Sequence, residues 1–352
     1  MIKPLTSLRF FFAFCVFLSH LSFLINYQKY KNLFENFFSE GFLGVSFFFI
    51  LSGFILALNY REKFKDKTIT LKKFYTARFA RIYPLFFVTT LLSIPLKFST
   101  IKILLLNIFL LQSYIPDKKY FFSYNSPSWS ISDEMFFYLV FPLLIIISYK
   151  SKTFFKVLLA LAFVLVVILL NNLLPEENKN YWTYISPLVR VFDFILGILL
   201  FELCLYIKKS NKSISQNFYS IFEIVAFGIL VIYFLCKDYF PISYRYSIYY
   251  WLPMCLIILV SAKTFFSKAK ETIIQKVLSW KWFVYLGEIS FSFYLLHYLV
   301  IIYLSKYNGF MGIKLEGFSL AFMMFIITLI TSIFAFEKIE KPFNRKIKDL
   351  LS

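Results

Sequence analysis

Long apolar runs separated by short polar stretches make up most of the chain. They fall at 5–25, 41–59, 82–97, 101–115, 129–149, 154–174, 187–207, 218–236, 250–267, 283–305 and 317–336. Most are close to the roughly 20 residues that cross a bilayer as a helix. The pattern predicts an all-α, polytopic helical membrane protein, folded as one integral membrane domain over 1–352 with no separate soluble domain.

The polar stretches orient these segments. Tyr60–Arg81 holds eight Lys or Arg and is expected on the cytoplasmic side. Two spans precede it, which places the N-terminus, with Lys3 and Arg9, on the same side. Lys150, Lys152 and Lys156, then Lys208, Lys209 and Lys212, then Lys263, Lys268, Lys270, Lys276 and Lys281, and finally the tail EKIEKPFNRKIKDLLS mark further inside loops. An even number of crossings must then lie between Arg81 and Lys150, where three apolar segments occur. Two of these, 82–97 and 101–115, are short, and one is expected to be re-entrant or interfacial. That leaves about ten transmembrane helices with both termini cytoplasmic. Irregular backbone at membrane depth is tolerated only against protein or a water-filled cavity, so the short segment hints at a cavity.

Composition agrees. Of 352 residues 60% are hydrophobic and 16% charged, and mean hydropathy is +0.71. A soluble domain carries about a quarter charged residues. The first apolar run is too long for a signal peptide, and no small-residue cleavage site follows it. The net charge of +19 falls between apolar spans and is explained by topology, so nucleic acid is set aside. Cys15, Cys204, Cys236 and Cys255 sit in or beside apolar runs without paired spacing. They read as small buried hydrophobes, with neither a disulfide framework nor a metal site.

The chemistry lies in the few polar groups inside the spans. His20 follows Arg9 by about eleven residues, roughly 16 Å of helix. It therefore falls in the outer half of the membrane, with Arg9 near the inner face. An ionisable group in a span is a functional candidate, although a satisfied core histidine gives the same pattern. Ser130, Ser132, Asp133 and Glu134 open the span at 129–149. Capping and the helix macrodipole explain them, yet Glu134 shares the depth of His20, where a carboxylate can orient an imidazole. Arg78 and Arg81 share a helix face, with Pro84 expected to bend the entry to the next span. Paired guanidinium groups suit a phosphate ligand, and positive-inside topology accounts for them equally. Gly41, Gly44, Ser46, Ser52 and Gly53 suit close helix packing or a channel lining. His297 also lands in the outer half, either beside His20 or as a structural polar contact. Arg190 and Asp193, at i and i+3, read as a local ion pair.

Taken together, LTSLRFFFAFCVFLSHL, GFLGVSFFFILSGF, RFARIYP, SPSWSISDEMFFYLVFP, ISFSFYLLHYLVI and EKIEKPF resemble, in this order, the motifs of acyltransferase family 3, whose members O-acylate glycans and other small acceptors. The resemblance spans nearly the whole chain. It departs at Glu134–Met135, where many members have two adjacent acids and this chain has Asp133 on the other side. Some relatives carry a further esterase-like domain. Here the chain stops after its last span, which implies delivery by the chain itself or to a separate protein.

The resemblance implies a cytoplasmic acyl-CoA donor, most often acetyl-CoA, used as a substrate, with no bound cofactor. The acceptor would be a hydroxyl of a polysaccharide, lipopolysaccharide or other lipid-linked saccharide of the cell envelope, at the outer face of a bacterial inner membrane. Arg78 and Arg81, supported by Arg9, would hold the CoA phosphates. His20 would act as general base or transient acyl carrier, and Glu134 would orient His20 or the acceptor. Trp129, Ser130, Ser52 and His297 would line the acceptor pocket or channel. The competing class is a transporter or flippase of a lipid-linked sugar or small anion, which needs the same cavity without chemistry.

Overall fold

The computed structural model describes residues 2–97, 99–209, 216–266, 270–309 and 314–351. Lys212 and Lys268, two of the charges used above for orientation, lie outside the described residues. Among those described, every regular element is helical. The main ones are α1 (Lys3–Ser19), α2 (Gln28–Asn36), α3 (Leu43–Lys65), α4 (Leu71–Ser93), α5 (Ile101–Ile108), α6 (Trp129–Lys150), α7 (Thr153–Leu173), α8 (Pro187–Lys209), α9 (Gln216–Leu235), α10 (Ile248–Ser261), α11 (Lys281–Tyr307), α12 (Gly317–Ala335) and α13 (Lys341–Leu351).

Among the described residues, six helical stretches are long and apolar enough to cross a membrane: Gln28–Lys65, Ser126–Lys150, Thr153–Leu173, Asn217–Leu235, Lys281–Tyr307 and Gly317–Ile347. The other expected spans fall short for identifiable reasons. α1 and α10 have 17 and 14 residues, fewer than the roughly 20 of a full crossing. α8 carries Arg190 and Asp193 inside its apolar run. The run at 82–97 does not start a helix of its own: α4 runs from Leu71, with Arg78 and Arg81, through Pro84 to Ser93. The run at 101–115 is no span at all. α5 has eight residues, about 12 Å of helix, and the chain turns at Leu110 with φ 58°.

α1 also ends earlier than its hydropathy suggests. The backbone N–H of His20 reaches back only three residues, to Phe17 O at 3.1 Å. The Val16 carbonyl receives the Ser19 hydroxyl at 2.7 Å and lies 2.8 Å from His20 Nδ1. His20 therefore caps the helix instead of lying within it, and a short helical turn, Ser22–Asn26, follows.

The chain folds into two compact units. The first comprises 1–9, 45–70 and 136–287. Its aromatic core stacks Phe137 on Phe194 at 5.2 Å, with Phe49 edge-on to Phe137 at 4.9 Å. α3 and α8 touch backbone to backbone here. A Cβ at Gly53 would lie 1.9 Å from Phe194 O, and one at Gly197 would lie 1.9 Å from Ile50 O. The glycine of the α3 signature is thus a packing residue, as small residues between membrane helices commonly are. Beside this crossing Arg190 and Asp193, both wholly buried, form the expected ion pair at 3.5 Å. Arg190 also donates to Tyr246 O and Ser46 Oγ, and Trp251 Nε1 donates to Asp193. These bonds offset part of the desolvation cost of the pair.

The second unit comprises 10–44, 71–135 and 288–352. It holds the end of α1, α2, α4, α5, the start of α6, most of α11, and α12 and α13. Phe17 and Phe293 both pack on Phe325 of α12, at 6.0 and 6.1 Å, making an apolar wall behind the end of α1.

Candidate active site

The second unit brings both histidines of the chain together. His297, 0% exposed on α11, sits with its Nε2 3.3 Å from Nδ1 of His20. The rings meet edge-on at 5.0 Å. Phe17 and Phe293 flank His297 at 6.4 and 6.5 Å, which fixes its rotamer. Its own Nδ1 lies 2.6 Å from Tyr294 O, one helical turn back.

The carbonyl partners assign the protons. A carbonyl only accepts, so His297 Nδ1 carries hydrogen and donates to Tyr294, leaving Nε2 as a bare acceptor. His20 Nδ1 faces the Val16 carbonyl and that bare nitrogen, so it too carries hydrogen and is shared between them. In the neutral form, the His20 lone pair is then on Nε2. The ring is half-buried, so it is sheltered but still reachable. Such an imidazole can accept a proton or attack a carbonyl carbon.

The orienting partner differs from expectation. His20 is held by Val16 and His297, and Glu134 is not among its partners. Glu134 is half-buried in the first turns of α6, next to the wholly buried Asp133.

The SPSWS stretch laces onto α11. Asn125 Nδ2 donates to Leu295 O at 2.8 Å, and Ser130 Oγ meets Tyr294 Oη at 2.8 Å. Ser130 also donates to Pro127 O at 2.9 Å. The hydroxyls at the start of α6 therefore do not cap it: Ser130 turns back to Pro127, and Ser132 donates to Leu110 O. Trp129, 3% exposed, and Ser130 are buried, so they shape the site from behind. Tyr298, which hydropathy and motif spacing did not single out, packs edge-on against His20 at 5.2 Å and bonds to the Ser126 side chain. Its spacing around His297, with Tyr294 three residues before and Tyr298 one after, is the signal that could have pointed to it.

The arginines have their own partner. Arg81 is ion-paired with Glu340, a carboxylate only 2% exposed in the turn Phe336–Glu340 before α13. The other oxygen of Glu340 accepts from Ser292 at 2.9 Å, and Phe291 lies under the guanidinium at 5.8 Å. Arg81 keeps 28% of its side chain exposed. One edge of its planar fork is thus fixed, which aims the rest. Arg78 lies one turn earlier, half-buried. Ser292 and His297 are five residues apart on α11, so the arginine node and the histidine pair are spaced about 8 Å along that axis. Arg9 and Ser52, both half-buried, belong to the first unit.

The model of the acyltransferase domain family matches residues 3–337. Acyltransferase MdmB of Streptomyces mycarofaciens is 28% identical over 333 residues, covering 88% of this chain and 81% of that protein. O-acetyltransferase OatA of Staphylococcus aureus is 25% identical over 88% of this chain and 53% of its own length. The putative peptidoglycan O-acetyltransferase YrhL of Bacillus subtilis is 25% identical over 97% of this chain and 54% of its own. The chain thus spans about half the length of these last two relatives. No solved structure matches. With nearly its whole length matched by that family, this membrane protein is a member of the acyltransferase family.

Proposed function

We propose that the protein moves an acyl group, acetyl in the simplest case, from cytoplasmic acyl-CoA to a hydroxyl of a cell-surface or lipid-linked glycan at the outer face of the bacterial inner membrane. The observation that carries this reading is the half-buried His20, whose Nδ1 is held by Val16 and His297 so that its Nε2 is left as the bare nitrogen. The names of OatA and YrhL support an acetyl group, and that of YrhL supports a glycan acceptor. We count α1, α4, α8 and α10 as crossings beside the six apolar stretches, giving ten with α5 as the short segment, and the positive-inside rule then favours both termini in the cytoplasm.

In this reading Arg81, aimed by Glu340, and Arg78 bind the CoA phosphates. The acceptor oxygen attacks the thioester carbonyl carbon, and its proton passes to His20 Nε2. A C–O bond forms and the C–S bond breaks. The proton leaves Nε2 with the sulfur, so the products are an ester and free CoA thiol. Tyr298 and the buried Trp129 and Ser130 shape the acceptor side. Glu134 stays a candidate for holding the acceptor. The transporter reading has no observation of its own beside the family membership.

The test is transfer in sealed vesicles, with labelled acetyl-CoA on the cytoplasmic side and glycan label as readout. Wild type labels the glycan, and folded His20→Ala falls by about 100-fold or more. Equal label in both would remove His20 from the chemistry.

A further inference from the structure

We propose that His297 is the positioning residue of this reaction: its Nε2 accepts the Nδ1 hydrogen of His20, keeps the reactive lone pair on Nε2 of His20, and shares the charge when His20 becomes an imidazolium. The inference rests on His20 being the base.

Three observations lead to it. First, the His20 Nδ1 hydrogen has two acceptors, Val16 O at 2.8 Å and His297 Nε2 at 3.3 Å. Both faced nitrogens cannot carry hydrogen, so the His297 proton must sit on Nδ1, where Tyr294 O takes it at 2.6 Å. Second, His297 is immobilised: it is 0% exposed, flanked by Phe17 and Phe293, and carried on α11. Tyr294 is itself tied to Ser130. Third, the usual orienting group for a basic histidine is a carboxylate, and His20 has none as a partner. A carboxylate buried among phenylalanines would pay a large desolvation penalty. A neutral imidazole accepts the same hydrogen without that cost. It becomes charged only in the reacting state, when the extra proton is shared between two rings.

During transfer the acceptor O–H proton moves to His20 Nε2 and then to the departing sulfur. The Nδ1 hydrogen remains between His20 and His297 throughout. No proton is gained or lost by the pair over a turnover.

Two substitutions separate this role from simple packing. A glutamine amide reaches the position of the histidine Nε2, whereas an asparagine amide reaches only that of Nδ1. His297→Gln therefore keeps the bond to His20 and loses the one to Tyr294, and His297→Asn does the opposite. The expected result is kcat within about tenfold of wild type for His297→Gln and about 100-fold lower for His297→Asn, with KM for acyl-CoA little changed in either. The reverse ranking, or equal rates in the two variants, overturns the proposal.

A second measurement does not depend on turnover. The chain has only two histidines, so 15N-histidine labelling of the purified protein reports these two rings alone. Both are expected as the Nδ1–H tautomer in wild type, and His20 is expected to keep that tautomer in His297→Gln. His20 found as Nε2–H in wild type overturns the proposal whatever the kinetics. A wild-type protein with this tautomer that transfers no acyl group would instead overturn the reading of His20 as the base.

Discussion

Glu340 and Arg81 form the other decisive pair of side chains. Arg81→Ala leaves a carboxylate buried with only Ser292 to answer it, whereas Glu340→Gln leaves a partly exposed guanidinium that water can reach. Removing one partner from a buried pair costs about 3–5 kcal/mol, and the cost is larger when the stranded charge is the more buried one. Thermal unfolding in detergent should therefore rank Arg81→Ala as less stable than Glu340→Gln. In the transfer assay Glu340→Gln should raise KM for acyl-CoA by about tenfold, because the fork is no longer aimed. An unchanged KM would detach Arg81 from the donor. His20 and His297 stood out in the sequence as ionisable groups in apolar runs, and Arg81 as one of two arginines on a shared helix face. Glu340 and Tyr298 did not. Glu340 lies in a charged tail where nothing marks it as buried, and tyrosine is too common in this chain to stand out. The expected contact of Glu134 with His20 rested on shared depth along two helices, and depth says nothing about which way a side chain faces.

Helix positions were legible from hydropathy, and helix ends were not. The run at 5–25 stays largely apolar past residue 19, yet α1 stops at Ser19 because side chains take the Val16 carbonyl. The division between the runs at 82–97 and 101–115 matches the gap between α4, which ends at Ser93, and α5, which starts at Ile101, whereas the turn at Leu110, where φ is positive, cuts the second run short and left no mark in its hydropathy. The glycines separate two kinds of helix position. Gly53→Ala and Gly197→Ala each place a methyl within 1.9 Å of a carbonyl oxygen. α3 and α8 must then separate, at about 1–3 kcal/mol or more. A methyl added at Gly228 of α9 would meet nothing within 4 Å, so Gly228→Ala should stabilise by up to about 1 kcal/mol through helix propensity alone. Melting temperatures of the three variants check this. A neutral Gly53→Ala would mean that α3 and α8 do not pack by backbone contact.

For the whole molecule, the charge map supplied the proposed ten crossings, but nothing in the sequence announced two units. Their boundaries cut through α1, α3, α6 and α11, inside unbroken helices where composition does not change. α1 has a further consequence at this scale. In a longer helix the Val16 carbonyl would accept the backbone N–H of His20. Here the imidazole of the same residue takes that place, so lengthening the helix by one residue and keeping the ring poised draw on one oxygen. With 17 residues, α1 spans about 26 Å against a hydrocarbon core of about 30 Å, so a thicker bilayer favours the longer helix. Acyl transfer reconstituted in lipids of increasing chain length should fall as the membrane thickens, and a flat response would show that the end of α1 is indifferent to its surroundings. The reactive group would then act as a gauge of membrane thickness, tying the rate of surface modification to the lipid composition of the cell.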